Sequence, residues 1–193
     1  MTGADALRPA VFLDRDGTLN VEKDYLHRIE DFAFIPGAPA AVRLLRTAGF
    51  LVIVVTNQSG VARGYYPRDA VCRLHEHLQD ELLRHGTCID GFYICPHHPT
   101  EGTGSYRIAC DCRKGEPGLL LQAAREHGVD LSRSFMVGDK LADVEAGVKA
   151  GCQSILVRTG YGIKDEPKVA ERFPGTKVCQ DLVAAAQYII DVS

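Results

Sequence analysis

Six short runs along the chain read as strands, and the strongest of them are apolar at nearly every position before they break off in polar residues. They are "AVFLD", "FLVIVVT", the weaker "IDGFYIC", "SFMVGD", "CQSILVRTG" and "TKVCQ". A strand with one face in water alternates apolar and polar side chains, whereas an unbroken apolar run needs cover on both faces. The segments between them supply that cover. "APAAVRLLRTAGF", "PRDAVCRLHEHLQDELLRHG", "PGLLLQAAREHG", "LADVEAGVKAG" and "DLVAAAQYII" place apolar residues at helical spacing. Pro67 and Pro117 stand where helices start, and Gly49, Gly86 and Gly128 where they end. Alternating strands and helices predict an α/β fold, a Rossmann-like three-layer sandwich with a mainly parallel sheet. A chain of 193 residues that is 46% hydrophobic can bury one core, so residues 1–193 are expected to form a single domain.

Several partners are argued against. The formal net charge is only −3, which gives no basic field for nucleic acid. The longest aliphatic stretch, "FLVIVV", falls far short of the roughly 18 apolar residues of a membrane span. "MTGADALRPA" shows no basic region followed by an apolar segment, so a cytoplasmic protein is expected. The seven cysteines are odd in number and come with no export signal, which speaks against a disulfide framework.

Ligands of parallel α/β folds bind at the carboxyl ends of the strands. Those ends read "DRDGTLN", "TNQSG", "CPHH" and "GDKLAD". Asp14 and Asp16 are two residues apart, and strand periodicity would point both carboxylates the same way. Such a pair needs a compensating charge, and a hard, oxygen-seeking Mg²⁺ is the natural one. Asp139 could complete the site, with Asp143 on the same helical face if a helix has begun.

A second cluster lies on the long connection at about 95–115. Cys95 and His97 are followed, after twelve intervening residues, by Cys110 and Cys112. This is a candidate metal centre, a structural clip or a set of unliganded thiols. Three thiolates and one imidazole favour zinc in a closed tetrahedral site, without the open position a catalytic zinc needs.

"FLDRDGTLN", "VVTNQSG", "CRK" and "MVGDKLAD" resemble, in order and spacing, the four motifs of the haloacid-dehalogenase-like phosphohydrolases. Within them the chain is most similar to the small heptose bisphosphate phosphatases, with histidinol-phosphate phosphatases as near relatives. The resemblance covers about residues 10–163 and implies a fold with no large cap domain. It implies that Asp14 is a nucleophile forming an aspartyl-phosphate. Asp16 would be general acid and then base. Thr56 and the backbone N–H groups after it would hold phosphoryl oxygens, and Lys114 would neutralise the transferring group. Mg²⁺ would be bound by Asp14, Asp139 and the backbone carbonyl of Asp16.

Substrate contacts implied in the same way are Glu22, Lys23, Asp24 and Tyr25 on the loop after the first motif, Asn57, Gln58 and Ser59 after Thr56, then Arg113 and Lys140. Arg113 suits a second phosphate because its fork can make two bonds to one. A similar loop in the resembled group favours His97 over His98 as the fourth zinc ligand and sets the zinc-binding loop at about 95–112. His98 is then expected to be a hydrogen-bonded loop histidine. The implied substrate is a small sugar bisphosphate losing its 7-phosphate on the way to ADP-heptose and surface glycans. Histidinol phosphate is the rival substrate, and a catalytically silent sugar-phosphate-binding protein is a rival of another class. A monomer is expected. One departure stands out: "RKGEPG" replaces the usual "RKP", and Gly115 would loosen the backbone beside Lys114.

Overall fold

Six parallel strands form one sheet in the order β3-β2-β1-β4-β5-β6. They are β1 (Ala10–Leu13), β2 (Leu51–Asn57), β3 (Gly91–Cys95), β4 (Phe135–Gly138), β5 (Gln153–Val157) and β6 (Lys177–Cys179). All six match the apolar runs of the sequence. The structure is a computed structural model, and it describes residues 7–193.

Both faces of the sheet are covered, which is why the strands do not alternate. Val11 and Leu13 look to one side and pack with α1 (Ala38–Thr47), α2 (Arg68–Arg84) and α6 (Leu182–Val192) through residues such as Leu45, Leu78 and Ile189. Ala10 and Phe12 look to the other side, against Leu120 and Ala123 of α3 (Gly118–His127) and Ala146 of α4 (Leu141–Ala150). Each fully buried Val, Leu, Ile or Phe among them contributes about 1.5–3 kcal/mol. The helical spacing read from the sequence marks these faces correctly.

One helix lies where the apolar pattern gives no element. It is α5 (Gly162–Arg172), and it contains Pro167. A proline inside a helix removes one backbone donor, so it reads as a breaker. The helix is held instead by Val169, which packs with Val144 and Leu156.

The chain runs from β1 outward through β2 to β3, then returns to the far side of β1 as β4. The strand order therefore reverses between β1 and β4, and the crevice beyond their carboxyl ends is where ligands of such sheets bind. Leu13 pairs with Val54 of β2 and Val137 of β4. The next residue, Asp14, donates its N–H to the Val137 carbonyl at 3.0 Å, and so enters the crevice at a fixed height. Among the described residues no helix is long and apolar enough to cross a membrane.

Candidate active site

Carboxylates from two strand ends meet over that crevice. Asp14, Asp139 and Asp143 are all buried, and one oxygen of each lies within 4.8 Å of the others. Lys114 reaches in from the β3–α3 connection. Its Nζ is 2.6 Å from Asp14 Oδ1 and 2.7 Å from Asp143 Oδ1, and the residue is only 6% exposed. Burial alone would favour a neutral amine, but the charges of Asp14 and Asp143 outweigh it and raise the lysine's pKa.

The backbone around Lys114 is tightly fixed. Asn57 clamps its peptide from both sides: Oδ1 accepts from Lys114 N at 3.0 Å, and Nδ2 donates to Lys114 O at 3.3 Å. Gly115 N donates to the Ala142 carbonyl at 3.0 Å. Gly115 has φ +81°, a left-handed conformation that favours glycine. The expected loosening is therefore corrected. Glycine is needed there for a turn that the neighbouring bonds lock.

Asp14 and Asp16 both line the cavity but take different partners. The strand ends at Leu13, so strand periodicity no longer applies. A turn in which Leu19 and Asn20 donate to the Arg15 carbonyl swings the Asp16 carboxylate toward Arg15. That carboxylate accepts from Arg15 Nη2 at 2.8 Å, Asn20 Nδ2 at 3.0 Å and Gln58 Nε2 at 2.9 Å. Burial would raise its pKa, but the arginine charge and these bonds prevail and hold it below the usual carboxylate range. Gly17, with φ +86°, closes the turn; a Cβ there would lie 2.2 Å from Asp139 Oδ2.

A cavity of about 360 Å³ opens above these groups. Asp14, Asp16, Thr56, Lys114, Glu22, Asp24, Tyr25, Asn57, Gln58, Ser59, Arg113 and Lys140 all line it, as the sequence led us to expect. Two expected site residues are outside the lining: Lys23, which is exposed, and Asp139, which is fully buried. The side chains of Asn57 and Gln58 line the cavity and also bond within the protein. Gln58 Nε2 also donates to Thr56 Oγ1 at 2.9 Å, while its Oε1 accepts from Tyr66 at 3.1 Å. Glu22 accepts from Lys140 Nζ at 3.1 Å, so this acid and this base are paired with each other.

The second cluster assembles as well. Cys95, Cys110 and Cys112 place their sulfurs 3.2–3.6 Å apart, and His97 Nδ1 sits 3.2 Å and 3.3 Å from two of them. These sulfurs are too far apart for a disulfide bond of roughly 2.05 Å. They are near the spacing set by Zn–S bonds of about 2.3 Å. Burial pushes the Cys95 thiol up to about 11 and the Cys112 thiol further. His98 stays out, its Nδ1 accepting from the N–H groups of Thr100 and Glu101. Arg113 Nη1 donates to the His97 carbonyl at 3.0 Å, which joins this loop to the cavity.

A family model described as HAD-hydrolase-like matches residues 111–185. The D-glycero-beta-D-manno-heptose-1,7-bisphosphate 7-phosphatase of Pasteurella multocida is 48% identical over 163 residues, 84% of this chain and 88% of its own length. The Escherichia coli K12 protein of that name is 46% identical over 84% of this chain and 85% of its own. The chain belongs to the heptose-bisphosphate 7-phosphatase family of haloacid-dehalogenase-like hydrolases. A solved structure agrees, that of D,D-heptose 1,7-bisphosphate phosphatase from B. bronchiseptica complexed with magnesium and phosphate. It has a TM-score of 0.83 at 34% identity, covering 96% of this chain and 99% of that one. The family member described here is thus a phosphoric monoester hydrolase.

The acidic site fits a hard divalent cation. Among the described residues Asp139 Oδ1 is buried with no hydrogen-bond partner, and its nearest cation, Lys140 Nζ, is 3.6 Å away. Burial and then the Asp14 charge push the Asp139 carboxyl up to about 8. A buried oxygen cluster of this kind calls for a cation.

Residues that the sequence did not single out also stand at the site. Tyr161, at the carboxyl end of β5, lines the cavity; its N–H donates to Asp139 Oδ2 and its hydroxyl to Asp24 Oδ1, both at 2.8 Å. Its place just past a strand end was the available signal. Tyr66 and Arg15 carried no such signal, because their roles come from what surrounds them.

Proposed function

We propose that this enzyme removes the 7-phosphate of D-glycero-D-manno-heptose 1,7-bisphosphate, in the β form that the relatives' names specify. The observation that carries the reading is the Asp14–Lys114 pair at the floor of a cavity where the strand order reverses. A nucleophile beside a fixed cation suits attack on a phosphoryl group.

In this reading Asp14 attacks phosphorus and forms an aspartyl-phosphate as the bond to the sugar oxygen breaks. Asp16 gives that oxygen its proton. Asp16 then takes a proton from water, which attacks phosphorus and frees the Asp14 carboxylate. As it stands Asp16 is a carboxylate, the form needed for the second step. A bound phosphate dianion beside it would raise its proton affinity for the first.

Lys114 balances charge on the phosphoryl oxygens, and Thr56 with the backbone N–H groups of Asn57 and Ser59 orients them, since the Gln58 N–H is taken by the Cys95 carbonyl at 2.8 Å. Mg²⁺, held by Asp14, Asp139 and the Asp16 carbonyl, would supply charge neutralisation between nucleophile and phosphate. Asp143 acts through Lys114 and also accepts from Lys140 N at 3.0 Å. Arg113 would meet the 1-phosphate, while Glu22, Asp24, Tyr25 and Lys140 would face the sugar. Cys95, His97, Cys110 and Cys112 would hold a structural zinc that fixes Arg113 through the His97 carbonyl.

All of these groups lie on one chain, so the proposed site is complete in a monomer. A diffusible sugar bisphosphate supports a cytoplasmic enzyme serving ADP-heptose synthesis. The test is kcat/KM with Mg²⁺ for both heptose bisphosphate anomers and histidinol phosphate, with Asp14→Asn beside the native chain. We expect a preference for the β anomer of tenfold or more, and no turnover by the folded variant. Preference for histidinol phosphate would overturn the substrate; activity in Asp14→Asn would overturn the nucleophile.

A further inference from the structure

Arg15 stands between the two aspartates of the first motif, yet its side chain leaves the cavity. It is 0% exposed, although arginine is almost never fully buried without partners. Taking a guanidinium out of water is costly, so its contacts should be complete. Nε and Nη2 form a fork on the Asp16 carboxylate, with contacts of 3.1, 3.0 and 2.8 Å. The second Nη2 proton goes to the Leu26 carbonyl at 3.1 Å. Nη1 faces His75 Nε2 at 3.3 Å.

That last contact fixes the state of His75. A guanidinium can only donate, so Nε2 must accept, and the ring carries its proton on Nδ1. An imidazolium there would set two cations in contact. The ring is buried in α2 and stacks on Phe92 with centroids 4.6 Å apart. His75 is therefore a rigid neutral acceptor built into a helix outside the cavity.

We propose that Arg15 and His75 form a buried positioning pair that aims the Asp16 carboxylate for proton transfer and ties it to the substrate loop through the Leu26 carbonyl. Asn20 and Gln58 also bond Asp16, but neither links it to α2. Among the described residues, only the Arg15 side chain bonds at once to Asp16, to the loop that carries Glu22, Asp24 and Tyr25, and to a helix of the core. A lysine at position 15 would keep the charge but lose the fork.

The inference rests on the reading of Asp16 as proton donor, and the experiment separates the two. kcat/KM covers the steps up to release of the alcohol. A sugar alkoxide needs a proton to leave, whereas 4-nitrophenolate does not. Both esters would be compared in the native enzyme, Asp16→Asn, Arg15→Lys, His75→Leu and His75→Gln, with Mg²⁺ present.

Arg15→Lys and His75→Leu should lower kcat/KM for the heptose bisphosphate by about 30-fold or more, within the range of general acid catalysis. They should change 4-nitrophenyl phosphate by less than about threefold, since its first step needs no such acid. His75→Gln, whose side-chain oxygen can accept where Nε2 did, should recover most of the loss. If His75→Leu does not fold, Arg15→Lys carries the same comparison. A split in Asp16→Asn without one in Arg15→Lys and His75→Leu would overturn the positioning pair alone. An equal loss on both esters, unrescued by glutamine, would mark the pair as merely structural. No split in Asp16→Asn would remove Asp16 as donor, and the pair's role with it.

Discussion

Asp139 should make metal binding release a proton. Its Oδ1 is buried without a hydrogen-bond partner among the described residues, and burial with the Asp14 charge puts its pKa at about 8. Without metal at pH 7, roughly nine in ten molecules would then carry a proton on Asp139, which a divalent cation must displace. The measurement is calorimetric titration with Mg²⁺ at pH 7 in buffers of different ionisation enthalpy. We expect about 0.5 to 1 proton released per ion, falling to about 0.1 at pH 9. Apparent affinity should weaken by up to tenfold, or about 1.4 kcal/mol, for each pH unit below 8. Stability of the metal-free protein should run the opposite way. A carboxyl with a raised folded pKa binds more protons folded than unfolded between its ordinary value of 3.8 and about 8. Its contribution is thus greatest at low pH and is lost as pH rises through that window. Added Mg²⁺ should restore it above pH 8. Proton release below about 0.2 at pH 7, or the same at pH 7 and pH 9, would refute the argument.

Gly115→Ala should cost about 1–2 kcal/mol in chemical denaturation, because the left-handed turn is strained for any other residue. The new Cβ would meet Glu145 Oε2 only at 3.5 Å, so a loss well above that range would point to a cause other than backbone strain. Arg113→Ala should raise KM for the bisphosphate by about 10- to 100-fold with little change in kcat, as loss of a charged phosphate contact does. An unchanged KM would remove Arg113 from the substrate. Metal analysis of the purified chain should find about one zinc, and Cys112→Ser should lower stability by several kcal/mol. Zinc far below one per chain, with stability indifferent to chelation, would reject the clip.

The sheet was legible because burial on both faces leaves unbroken apolar runs, and Phe12 and Leu13 pack on opposite sides as such runs require. Asp14, Thr56 and Asp139 were legible because each follows a strand in a parallel sheet. What a polar side chain does after leaving the strand is set by its neighbours. Asn57 looks like a substrate ligand in "TNQSG", but its amide meets the Lys114 peptide, 57 residues away in sequence. Asp16 takes Arg15, Asn20 and Gln58 as partners, which a turn beyond the end of the sheet brings to it. α5 was hidden by Pro167, whose local cost is offset by the packing of Val169.

The placement of β1 between β2 and β4 also bears on when the enzyme can exist as an enzyme. Asp14 is made early, but its partners Lys114, Asp139 and Asp143 belong to the second half of the chain. Closing contacts across such distances in sequence is slow, because loop entropy is lost before they form. A nascent chain on the ribosome would hold its nucleophile for most of synthesis with neither the lysine nor the acidic partners beside it. Activity should then appear in one step with docking of β4, and no shorter N-terminal fragment should hydrolyse phosphate.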